Sequence, residues 1–281
     1  MTTTYAPVGG LGADEPRARF YDLVAAEWIK LRSLRSTWIA YGATALAVIA
    51  FNAGTAYDTY NYWPERSAAD RADYVRAGIP LQEVFTANSA MVMMLALGAI
   101  GAVAIIGEYS TGTIRTTFAA VPDRRSVMAA KTVVVTAVAT VFGSIVAGAS
   151  FGLTQAILDG RGAGISMGYP GALRVVVASA LLAPVCAVVG MAIGSVIRHT
   201  SATMIAAVAV ILVLPIVFTE GRHWSAVAGH ATLYQAWLRL VEVGPRQTDF
   251  PWTTGGAWTV YAVWALTAAV LAVTSAQRRD Q

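Results

Sequence analysis

The chain predicts an all-α polytopic membrane protein, with six membrane-crossing helices behind an amphipathic amino-terminal elbow helix. Three observations carry that expectation. Of 281 residues, 56% are hydrophobic and 13% are charged, about half the charged share of a soluble domain. The charges cluster, leaving six stretches without Asp, Glu, Lys or Arg. Each stretch is close to the ~20 residues a helix needs to cross hydrocarbon.

Taken in order, residues 1–19 predict a disordered cytoplasmic tail rich in Thr, Gly, Ala and Pro. No apolar core lies near the amino terminus, so no cleavable signal peptide is expected. Residues 20–281 predict one transmembrane domain. Its elbow is marked by Phe20, Val24, Trp28, Leu31 and Leu34 at helical spacing, with Lys30 and Arg32 off that stripe. Glu27 projects into the stripe. A local pair with Lys30, one turn along, is the favoured account of it. An ion pair with a basic residue of the segment Gly107–Lys131 is the alternative.

The six apolar stretches are Trp38–Ala56, Val84–Ile106, Thr132–Leu158, Val175–Ile197, Ser201–Thr219 and Ala257–Ala276. Pro184 and Pro215 are expected to bend the fourth and fifth, because each removes a backbone hydrogen bond. Small residues supply packing faces: Ser144, Gly148 and Gly152 in the third span, and Ala183, Ala187, Gly190 and Gly194 in the fourth. Both faces are expected to pack within one bundle.

Orientation follows from the basic residues. With both termini cytoplasmic, twelve of the twenty Lys and Arg fall on the inner side and eight on longer outer loops. The net charge of +4 is therefore a topology signal and not a nucleic-acid footprint. The outer segment Asp58–Glu83 reads as a polar, slightly acidic loop. The outer segment Glu220–Gly256 carries Leu233, Trp237 and Leu240 on one helical face and is expected to dip into the outer leaflet.

Several chemistries are excluded. Cys186 is the only cysteine, so there is no internal disulfide and no thiolate metal cluster. His199, His223, His230 and the scattered carboxylates show no metal-ligand spacing. Gly148-Ala149-Ser150-Phe151-Gly152 matches G-x-S-x-G, but a nucleophile elbow needs a strand, a tight turn and a histidine. Here the pattern falls in mid-span and reads as packing. No G-x-x-x-x-G-K-[ST] segment occurs, so the chain carries no phosphate loop of its own. Within the spans the polar groups are neutral, among them Asn52, Asn88 and Gln155, so energy for any transport must come from outside the chain.

The stretch Gly107–Lys131 holds Glu108, Arg115, Asp123, Arg124, Arg125 and Lys131 between two spans, so it must lie in water. Within it Ile114, Phe118 and Val121 form an apolar stripe. Thr111 is expected to cap that helix and Pro122-Asp123 to end it. Such a stripe can rest on the inner leaflet or fill a groove on a partner.

Two motifs carry a resemblance. Glu27-Trp28-Ile29-Lys30-Leu31-Arg32-Ser33 precedes the first span. Glu108-Tyr109-Ser110-Thr111-Gly112-Thr113-Ile114-Arg115-Thr116-Thr117 follows the second, with Pro122, Arg124 and Ala130-Lys131 after it. Together they resemble the ABC-2-type permeases, the membrane subunits of bacterial ABC transporters. The resemblance implies a coupling helix between spans two and three that sits in a groove of a separate ATP-binding subunit. It places Glu108, Gly112, Thr113, Ile114, Arg115 and Phe118 in that coupling segment, and Glu27, Trp28, Lys30 and Arg32 in the elbow. Tyr234–Leu240 would match the outer re-entrant helices. It further implies a dimer with a second permease copy or homologue, a bacterial plasma-membrane location, and an exporter of an unspecified amphipath. The chain would be no enzyme and hold no cofactor, ATP and Mg being bound by the partner. The rival reading is a non-transporting anchor or immunity protein that recruits a soluble partner through the basic loop.

Overall fold

The computed structural model describes residues 18–218, 222–243 and 250–275. Residues 1–17 of the expected tail over 1–19, the carboxyl-terminal Arg278 and Arg279, and the far ends of the fifth and sixth stretches lie outside these. Among the described residues every regular element is helical, and six helices are long and apolar enough to cross a membrane.

The elbow is α1 (Phe20–Ser33), whose basic last turn, Lys30 and Arg32, suits a helix carboxyl end. Leu34 turns the chain into α2 (Arg35–Tyr62), the first span. α2 runs past its apolar stretch, and Asp58–Glu83 is a folded cap, not a loose polar loop. A 3₁₀ turn at Trp63–Glu65 leads to α3 (Ala68–Arg76) and α4 (Ile79–Gln82). The Arg66 guanidinium stacks over the rings of Tyr74 (4.7 Å) and Trp63 (5.7 Å). Glu83 is buried beneath them and accepts from the hydroxyls of Tyr74 (2.6 Å) and Thr59 (2.7 Å). Apolar and polar groups thus interleave in that cap, which explains why periodicity missed it.

The second span, α5 (Ala87–Thr111), is capped by Thr86, whose hydroxyl accepts from Ser89 N–H. It ends at Gly112, where φ is +74°, a conformation that favours glycine. The same glycine starts α6 (Thr113–Ala120), so Thr111 closes α5 and does not cap α6. Val121, Pro122 and Asp123 turn the chain into α7 (Arg124–Asp159), an unbroken 36-residue helix. α8 (Ala172–Ile197) runs continuously through Pro184. The fifth span divides into α9 (Thr200–Val208), a π-helical turn (Ala209–Val213) and α10 (Leu214–Val217). The wide turn immediately precedes Pro215, whose ring would otherwise meet a carbonyl one turn back.

α11 (His223–His230) and α12 (Leu233–Val241) form the hairpin before the last span. Leu233, Trp237 and Leu240 do share a face of α12, and all three are buried in the bundle core. Trp237 is 1% exposed and donates to the Ser179 hydroxyl at 3.2 Å. α13 (Thr254–Thr274) closes the bundle against α8 and α12.

α8 is the central element, packed on α5, α7 and α13. Its approach to α5 is backbone to backbone: a β-carbon at Gly190 would lie 1.8 Å from the Gly98 carbonyl oxygen. The expected face of Ala183, Ala187, Gly190 and Gly194 therefore packs within the bundle. The face of α7 behaves differently. Ser144, Gly148 and Gly152 are exposed, with no atom within 4 Å of a β-carbon built on either glycine. Gly143 and Ala147, one position back, are buried instead, and Gly143 makes the close approach to α8.

Buried polar groups tie α2, α5 and α7. Asn52 donates to the Ser150 hydroxyl at 3.0 Å and accepts from Thr86 N–H at 3.0 Å. Gln155 donates to the Pro80 carbonyl and accepts from Ile165 N–H. Ser150 lies within continuous helix, so the strand and tight turn of a nucleophile elbow are not there.

Candidate functional site

α1, the end of α5 and the start of α7 meet at one end of the bundle, around α6. Glu27 sits on the bundle-facing side of α1 with Leu31, the only other buried residue of that helix. Its carboxylate reaches two lysines at once. Oε1 accepts from Lys30 Nζ at 2.7 Å, and Oε2 accepts from Lys131 Nζ at the first turns of α7. Glu108, three residues before the end of α5, accepts through Oε1 from the same two lysines, at 3.2 Å from Lys30 and 2.9 Å from Lys131. The four charges form a closed ring, alternating in sign and neutral overall.

The favoured local pair of Glu27 with Lys30 is therefore present, and so is the long-range pair named as its alternative. A carboxylate with two oxygens serves both. Glu27 is 5% exposed, and a charge that deep needs full pairing. One local lysine, itself 36% exposed, does not supply it.

The ring fixes one proton. Burial alone would lower the Lys30 pKa, but its hydrogen bond to Glu27 and the charges of Glu27 and Glu108 outweigh it and hold the pKa above its usual 10.5. A pKa raised on folding stabilises fully below the unfolded value, and that stability is lost as pH rises through the folded one. At the other end of the bundle Tyr74 is also raised, by burial and by the hydrogen bond to Glu83. The unfolding midpoint should therefore fall as pH climbs above about 10. Lys30→Met and Tyr74→Phe should each flatten that fall in a thermal-unfolding pH series. A slope unchanged in both variants would remove these groups from the account.

Of the other expected residues, Ile114 is 5% exposed and belongs to the chain's own core. Phe118 and Val121 are half-buried on the same side, and the Arg124 guanidinium lies 5.1 Å over the Phe118 ring. The apolar stripe of α6 thus faces the bundle. Thr113, Arg115, Thr116 and Ala119 form its exposed side. Trp28 and Arg32 are exposed on α1, outside the ring; Trp28 meets Trp38 edge to face at 6.5 Å. Lys131 is the member that sequence reasoning leaves out of the site. Its signal is a lone lysine set against an apolar run, opposite a lone glutamate in an apolar stripe.

Neighbouring contacts complete this end. Asp123 caps α7 and accepts from Ser126 N–H at 3.2 Å; Ser126's hydroxyl and N–H hold its carboxyl below the usual range. Arg198, with φ of 58°, stacks on Tyr109 at 4.8 Å and donates to the Ser275 carbonyl at 3.0 Å, joining α8, α5 and α13. Among the described residues no cluster of three His, Cys, Asp or Glu could hold a metal ion.

Six helices long and apolar enough to cross a membrane, behind the α1 elbow, support a permease-type membrane component. The chain belongs to the ABC-2 family of transporter proteins, whose sequence profile matches residues 65–240. The match contains Glu108 and Lys131, while Glu27 and Lys30 lie before it. No curated protein matches the chain.

Proposed function

We propose that this chain is the membrane-spanning subunit of an exporter driven by a separate ATP-binding subunit. Two permease copies would pair in the bacterial plasma membrane, with both termini of each cytoplasmic. The chain itself performs no bond chemistry and carries no cofactor; ATP and Mg belong to the partner. Family membership supports association with an ATP-binding subunit in general.

The observation that carries the reading is the ion-pair ring. It ties the elbow, the end of α5 and the start of α7 into one unit flanking α6. A push on α6 then moves three elements together, as a coupling segment requires. Because Ile114 is spent on the chain's own core, contact with the partner falls to the opposite side of α6. Arg115→Glu with Ala119→Asp should abolish co-purification of the ATP-binding subunit and change the unfolding free energy by less than about 1 kcal/mol, since each surface change costs at most about 0.5 kcal/mol. Undiminished co-purification and ATPase stimulation would remove α6 as the coupling contact.

A further inference from the structure

Between the elbow and the bundle lies a cavity of about 410 Å³, the size of a small-ligand site. One side is apolar, with Ile100, Val103 and Ala104 from α5 and Val134 from α7. Val103 is half exposed on the outer surface of the bundle, so the cavity opens sideways toward surrounding hydrocarbon.

The opposite side is polar. α2 starts there, and its first turn holds Arg35, Ser36 and Thr37, no acidic residue and no side-chain cap. Ser36, Thr37 and Lys30 line the cavity. An uncapped helix start beside a lysine favours a phosphate. Tyr41 also lines the cavity; it is 4% exposed and its hydroxyl has no hydrogen-bond partner. Glu108 completes the polar side, with Oε2 buried and unpaired while Oε1 holds the two lysines. Glu27, the remaining acidic group there, is fully engaged by lysines. Stranded polar groups of this kind require partners. The tyrosine needs an acceptor and Glu108 needs a donor.

We propose that this cavity binds the head and glycerol region of a membrane aminophospholipid. Its phosphate accepts from Lys30 and from the Ser36 and Thr37 hydroxyls at the start of α2. Its ammonium donates to Glu108, an ester carbonyl accepts from Tyr41, and the acyl chains leave past Val103. The occupant is a resident lipid of the elbow, separate from whatever is transported.

The test is native mass spectrometry of the detergent-solubilised full chain, titrated with equimolar phosphatidylethanolamine and phosphatidylglycerol. Wild type should retain one phosphatidylethanolamine at least tenfold over phosphatidylglycerol. Ala104→Trp, which fills the cavity, should reduce that retention at least tenfold; Val103→Trp serves the same end from the more exposed side. Ala137→Trp, on an exposed face of α7, should change nothing. Glu108→Gln should abolish the preference for the ethanolamine head. Soluble glycerophosphoethanolamine at millimolar concentration should not displace the lipid. Equal retention in wild type and both filled variants would mean annular lipid only and overturn the proposal. So would equal retention of the two lipids by wild type, or displacement by the soluble head group.

Discussion

Lys131→Met is expected to lower stability by about 3–5 kcal/mol, the range for removing one partner of a buried ion pair. Lys131 answers both carboxylates of the ring and is as buried as Glu27. Without it, Glu27 and Glu108 are left with Lys30 alone, and two buried negative charges share one cation. Glu27→Gln in the Lys131→Met background should recover part of the loss, because it removes one uncompensated charge. Lys30→Met should cost less, since water already reaches its ammonium and can replace it. Chemical unfolding in detergent reads all three. A loss below about 1 kcal/mol for Lys131→Met would mean that the ring is solvated like a surface pair.

The second large effect concerns glycines at the contact between α5 and the central helix α8. A β-carbon at Gly190 would lie 1.8 Å from the Gly98 carbonyl oxygen, and one at Gly101 would lie 1.9 Å from the Ala187 carbonyl oxygen. Both obstacles are backbone, so no side chain can rotate away; α5 and α8 must separate. Overpacked cores lose about 1–3 kcal/mol when side chains can adjust. Gly190→Ala and Gly101→Ala should sit at or above the top of that range, and Gly190→Leu should prevent recovery of folded protein. Gly148→Ala should have the opposite sign. Nothing lies within 4 Å of its added methyl, and alanine is favoured over glycine in a helix interior by about 1 kcal/mol. Equal stabilisation by Gly148→Ala and Gly190→Ala would show that helix propensity, not interhelical contact, governs these positions.

The spans were legible because hydrocarbon imposes a simple rule, and runs without charge reveal it. Their true ends were not: α2 continues to Tyr62 and α7 begins at Arg124, since a helix need not stop where its apolar residues do. Gly190 and Gly194 were correctly placed inside the bundle, but the same spacing in Ser144, Gly148 and Gly152 faces outward. A stripe of small residues states that close approach is possible, not that anything approaches. The candidate site was half legible. Glu108 and Glu27 stand out within their motifs, yet the ring needs two segments about a hundred residues apart to meet, and one sequence does not report that distance. The α6 stripe is legible, but the two directions offered for it, the inner leaflet and a partner's groove, both point away from the bundle that it faces. Periodicity identifies a face without naming what covers it, and here the covering is the chain itself.

The continuity of α7 has a mechanical consequence. Thirty-six helical residues at 1.5 Å each make a rod about 54 Å long. One end carries Lys131, bound to the elbow; the other carries Gln155, bound to Pro80 and Ile165. Near its middle Gly143 lies against the Ala180 backbone, where an added β-carbon would be 2.1 Å from the carbonyl oxygen. A rod pinned at its centre and held at both ends is a lever, and that contact is its fulcrum. With arms of roughly 18 Å to Lys131 and to Gln155, a tilt of about 5° moves each by about 1.6 Å in opposite directions. A displacement applied at the α6 end would reach the cap over Asp58–Glu83 with its sign reversed, and the residues that α7 buries against α2 and α8 would shift with it.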